Sequence, residues 1–230
     1  MVIAAALVAT AGAWVWLAGA GPLHPHQAPP TPRGFLAAVV MGQAMMVAMM
    51  TPTVAPWVLA YARLVGEDPP GARLAPSVSF AAGYFTIWLA YSIVAAAIQL
   101  ALSASGLVGH DGPPPVLAGG VLFAAGAFQF APIRQACLTH CRNPLSYLLA
   151  RWRGGPPGAF RLGLGHGAYC VGCCWLLMLT GFAIGVMNLA WMALLTIVVA
   201  VEQLAPAGTW IGRALGAGLI VWGLALCRPA

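Results

Sequence analysis

The sequence predicts an all-α fold, a polytopic helical membrane protein with about seven transmembrane helices, and three observations lead there. Of its 230 residues 61% are hydrophobic and only 6% are charged, about a quarter of the charged share of a soluble domain. Mean hydropathy is +0.89. The 28 glycines are spread through long apolar runs, as in helices that pack closely within a bilayer. These features exclude a soluble globule. Nucleic-acid binding is excluded as well, because the net charge of +6 comes from scattered Arg, with no Lys and no continuous basic face.

A hydrocarbon core of roughly 30 Å takes about 20 helical residues. Laid along the chain, that length places spans near 2–20, 35–62, 76–102, 116–136, 163–185, 188–204 and 209–227, in a single integral membrane domain over 1–230. The first ends in Ala18-Gly19-Ala20, like a signal-peptidase site, but lacks a positive start and is expected to be a retained helix. The second contains Pro52 and Pro56, which remove backbone hydrogen bonds and are expected to kink it. The third follows the polar loop flanked by Arg63 and Arg73. The fourth is expected to run on past its boundary through Cys137 and Cys141, until Pro144 disfavours helix at Asn143. As one helix, residues 161–204 would reach about 66 Å, so the chain must double back, with Gly185 to Asn188 as the turn.

Seven-span parity puts Arg63, Arg73, Arg134, Arg142, Arg151, Arg153, Arg161 and Arg213 on one side. The positive-inside rule makes that side cytoplasmic and the protein a multi-pass component of the bacterial inner membrane. Arg33, Arg228 and the Pro-rich loops at 21–34 and 109–115, with His24 and His26, then face outward. No internal repeat stands out, which counts against an inverted-repeat transporter.

The sharpest chemical signal is His166-Gly-Ala-Tyr-Cys170-Val-Gly-Cys173-Cys174 at the cytoplasmic end of the fifth span. At about 100° per residue, His166, Cys170, Cys173 and Cys174 share an arc of roughly 100° on one helical face. Cys137 and Cys141 are one turn apart, beside His140, at the same depth on the preceding element. The two clusters are expected to face each other. A reducing cytosol disfavours a disulfide framework there and favours metal coordination or a redox pair.

In the second span, Met41, Met45 and Met49 lie within about 80° of one face, while Met46 and Met50 point elsewhere. Thioether stripes usually pack cores, but beside thiols they suggest a secondary site for Cu(I), a soft ion. His140 joins this secondary set. Glu202 is the one acid within a span; it is expected to snorkel to the interface or to support His166 as a hydrogen-bond partner.

The runs MGQAMMVAMMTPTVAP, FQFAPIRQACLTHCRNPLSYLL, GLGHGAYCVGCCWLLM and GVMNLAWMALL, in order over about residues 35–205, resemble a bacterial family of metal-binding integral membrane proteins. The specific block is His-Gly-x-Tyr-Cys-x-Gly-Cys-Cys-Trp. The chain departs from the family pattern at Thr51-Pro52-Thr53, where the family has Leu-Pro-Ser, which leaves the candidate ligands intact. The resemblance implies an all-helical membrane protein with a metal site at Cys137, Cys141, His166, Cys170, Cys173 and Cys174, and no particular activity.

The function expected from these residues is binding of a soft metal, copper as Cu(I), for transfer, storage or delivery to a metal-receiving protein. Zinc is the alternative ion, since it takes sulfur and nitrogen ligands but has no use for the thioethers. A membrane thiol/disulfide oxidoreductase is the enzymatic alternative, with Cys170 and Cys173 or Cys137 and Cys141 as its pair. An accessory subunit of a membrane copper or haem enzyme, beside other membrane subunits, is the third. The chain is not expected to be an enzyme on its own.

Overall fold

The computed structural model describes residues 2–19, 31–65, 73–108, 112–184, 188–205 and 208–228. Among them every regular element is a helix: α1 (Val2–Gly19), α2 (Pro32–Leu64), α3 (Leu74–Ala104), α4 (Pro115–Phe128), α5 (Pro132–Cys141), α6 (Pro144–Ala150), α7 (Gly155–Ile184), α8 (Leu189–Leu204) and α9 (Gly208–Leu226). Four of them, α2, α3, α7 and α9, are long and apolar enough to cross a membrane, and α4 with α5 makes a fifth if that bent pair is one span. The 16 residues of α8 reach about 24 Å. The expected turn from Gly185 and the loop with His24 and His26 fall on residues outside those described.

The fourth span is not the continuous helix expected. It breaks between Phe128 and Pro132, and α4 and α5 meet at a bend of 66°. Pro132 carries no N–H and drives Ala131 out of the helical region, to φ −66° and ψ 135°. The same rule had placed a break at Asn143-Pro144, and that one is present too. By contrast α2 runs unbroken across Pro52 and Pro56. Its hydroxyls bond within the helix there, Thr51 Oγ1 to the Val47 carbonyl at 2.5 Å and Thr53 Oγ1 to the Met50 carbonyl at 2.8 Å.

Helix directions follow from the contacts. Gly163 lies against the backbone of Phe80 and Gly167 against that of Tyr84, so α3 and α7 run parallel. A Cβ at Gly163 or Gly83 would press into the facing main chain, which is why small residues are needed where backbones approach this closely. Trp191 at the start of α8 donates to Thr180 near the end of α7 at 3.0 Å, while Gln203 at its end reaches Cys170. The chain therefore doubles back after α7, as its length required. On the far side, Gly119 packs on Gly223 and Gly126 on Gly216, an antiparallel α4–α9 pair.

All five methionines from Met41 to Met50 are buried. Met46 and Met50, which point off the face that Met41, Met45 and Met49 share, are buried as well, on a helix that packs against α1, α3, α6 and α8.

Candidate metal centre

The centre forms where α2, α3, α5, α7 and α8 converge. On α7, the sulfur atoms of Cys170, Cys173 and Cys174 lie within 4.8 Å of one another, and all three residues are buried. Their spacing of three and four residues is what brings them together on a helix. Cys173 Sγ and Cys174 Sγ both donate to the Cys170 carbonyl, at 3.1 and 3.0 Å. From α5 the buried Cys141 thiol approaches Cys170 and Cys173. Cys137 is half-buried, with its sulfur 2.9 Å from where a Cβ on Gly172 would stand. Gly172 thus leaves the gap through which α5 presents this thiol to α7.

His166 is 1% exposed, and neither ring nitrogen has a hydrogen-bond partner. Its ring is held by stacking instead, on Trp57 at 3.7 Å and 19° and beside Tyr84 at 5.2 Å and 22°. A buried imidazole without partners is costly, and a lone pair directed at a metal relieves that cost. Three thiols in mutual reach, a fourth from α5 and an orphaned imidazole one turn away make a donor set suited to a soft ion.

The thiols are themselves supported by residues that carry no obvious motif. Tyr84 OH and Cys170 Sγ are 3.1 Å apart, and Tyr84 OH is 3.3 Å from Thr53 Oγ1. The Thr53 hydroxyl hydrogen goes to the Met50 carbonyl, so Tyr84 donates to Thr53 and accepts from the Cys170 thiol. When Cys170 gives up its proton, Tyr84 can turn its hydrogen onto the thiolate. Gln203 Nε2 is a second donor to Cys170 Sγ at 3.6 Å. Trp57 Nε1 donates to the Cys141 carbonyl at 3.2 Å, tying the His166 stack to α5.

Glu202 neither snorkels nor bonds His166. It is buried and forms an ion pair with Arg134 at 2.6 Å, and Arg134 Nε donates to the Cys173 carbonyl at 3.2 Å. Arg134 is accordingly not the loop cation that a count along the chain suggested. The bend between α4 and α5 turns it inward, where burial demands a counter-ion. Arg142 Nη2 adds a bond to the Ala205 carbonyl at 2.6 Å, so α5 is fastened to α8 at two points. His140 is exposed, stacked flat on Tyr169 at 4.3 Å and 2°. It lies outside the buried cluster.

Trp57, Tyr84, Thr53, Gln203 and Arg134 are the neighbours that sequence reasoning missed. Gln203, beside Glu202 in an apolar helix, did carry a signal: a buried polar side chain needs a partner.

With this geometry in view, the comparison with known families is specific. The model of the copper chaperone family PpoB2 matches residues 39–226. The chain belongs to that copper chaperone family. The match spans α2 through α9 and so includes every thiol of the cluster. No curated protein and no solved structure matches the chain.

Proposed function

We propose that this chain is a multi-pass protein of the bacterial inner membrane, a single membrane domain of about seven spans. It holds Cu(I) at the cytoplasmic side for delivery to a metal-receiving protein. Copper here is cargo rather than a resident cofactor. The observation that carries the reading is the buried trio of Cys170, Cys173 and Cys174 beside the unpartnered imidazole of His166, in a member of a copper chaperone family. Sulfurs about 2.3 Å from one ion stand about 4.0 Å apart in a trigonal arrangement, a spacing that small side-chain rotations of the trio would reach. Cys141 completes a four-thiol set.

Thioether sulfurs extend the donor set along α2. Met49 lies about 12 Å and Met41 about 24 Å along the axis from Trp57, at 1.5 Å per residue. Met41, Met45 and Met49 thus form a soft-ligand stripe leading away from the thiols toward the opposite face. Burial of the trio argues against thiol/disulfide exchange with a protein, because attack on a disulfide requires an accessible thiolate.

Titration of detergent-purified full-length protein with Cu(I) against a competing chelator tests the reading. One tightly held ion per chain is expected, with zinc displaced by Cu(I). Absence of stoichiometric copper would overturn it.

A further inference from the structure

A buried site raises the question of how its ion leaves. Exposure along α5 changes in steps. Cys141 is buried against Cys170 and Cys173, Cys137 is half-buried with its thiol against Gly172, and His140 is exposed. Cys137 and His140 are three residues apart, neighbours on one helical face.

The His140 ring is prepared for a metal. Its Nδ1 lies 2.9 Å from the Ala136 carbonyl; a carbonyl only accepts, so Nδ1 carries the hydrogen and Nε2 is the nitrogen able to ligate. Donation of the other ring N–H to a backbone carbonyl is the usual arrangement of a metal-binding histidine. The stack on Tyr169, whose hydroxyl accepts from Arg151 Nη2 at 3.3 Å, fixes the ring plane. His140 also lines a surface pocket of 430 Å3 with Thr139, Asn143, Ser146, Tyr147 and Arg151. That pocket leaves room for a donor group from an acceptor.

The geometry points to a second, outer copper station on α5, built from Cys137 and His140, through which the ion passes from the buried thiols to a soluble acceptor bearing soft donors. The inference rests on the copper-binding reading above. The step is a ligand exchange without change of oxidation state. A Cu–S bond forms to Cys137 as its thiol releases a proton, a Cu–S bond to one of the buried thiolates breaks, and that sulfur takes up a proton. The remaining bonds to buried thiolates break in the same way as His140 Nε2 binds; an acceptor thiol then releases its proton and displaces Cys137, which takes that proton up, and the Cu–N bond to His140 breaks as a second acceptor donor binds.

Rates of transfer from copper-loaded, full-length protein in detergent to a sulfonated Cu(I) chelator test the station. Cys137→Ser is expected to keep the bound copper but slow transfer roughly tenfold, about 1.4 kcal/mol on the barrier. His140→Ala should slow it to a smaller degree. Gly172→Ala removes no sulfur but sets a Cβ 2.9 Å from Cys137 Sγ and so displaces that thiol, and should slow transfer as Cys137→Ser does. Cys227→Ser, at the exposed end of α9, should change nothing. Transfer at the original rate in Cys137→Ser overturns the station. So does loss of the bound ion in that variant, which would make Cys137 a resident ligand while leaving the copper-binding reading intact. A wild-type chain that never binds copper would instead sink that reading, and the station with it.

Discussion

The α3–α7 and α4–α9 pairs both set backbone against backbone where glycines face each other, at Gly83 and Gly163 in one and at Gly119, Gly126, Gly216 and Gly223 in the other. They differ in what sits beside those glycines. Tyr84 follows Gly83, and His166 lies between Gly165 and Gly167, whereas the sequence neighbours of the α4–α9 glycines are Ala, Leu, Trp and Gly; the sulfur and polar groups that reach that seam are Cys227, at the exposed end of α9, and Gln129. They differ also in cover. The α3–α7 seam is closed by α2, α5 and α8, while α9 leaves Trp210 and Val221 70% and 68% exposed. Glycine supplies proximity in both pairs. A cluster of thiols forms only on the α3–α7 side, where other helices also exclude solvent from the close approach.

That contrast can be broken at three points. The largest effect is expected from Cys170→Ser. Cys170 touches the other trio members, Cys141, Tyr84 and Gln203, so copper affinity should fall by more than roughly a hundredfold, beyond the loss typical of a residue that only orients a ligand. Unchanged copper content would reduce the cluster to packing. Next, Gly163→Ala and Gly126→Ala should each cost about 1–3 kcal/mol by overpacking, read as the shift in thermal unfolding. Copper bound per folded molecule should drop only for Gly163→Ala, and an equal drop in both would erase the distinction between the seams. The smallest effect belongs to Met45→Leu, which keeps volume and removes sulfur. Copper content should hold while exchange slows about twofold if thioethers conduct the ion; an unaltered rate would leave the stripe as core.

Much of this arrangement was legible in the residues themselves. Spacings of three and four foretold that Cys170, Cys173 and Cys174 would converge, since a helix has one geometry. The ends of α7, α8 and α9 follow apolar length and sit within a few residues of expectation, except that α7 begins at Gly155, ahead of the apolar run. The break at Ala131-Pro132 was also readable, and was masked by the apolar residues on both sides of it. What periodicity could not supply was which helices meet. The Trp57–His166 stack and the Arg134–Glu202 pair join residues more than 60 positions apart, and local pattern carries no information about such partners.

The Arg134–Glu202 pair has a consequence for how the chain is made. The two charges are 68 residues apart in sequence, so at about 5–20 residues per second a ribosome needs several seconds after Arg134 emerges before its counter-ion exists. An arginine taken into a bilayer without a counter-ion is costly, the more so with depth. In a membrane setting, then, α5 has reason to wait at the interface and to fold inward only when α8 arrives. The thiol of Cys141 would travel with it, so the four-thiol set would be complete only once α8 is made.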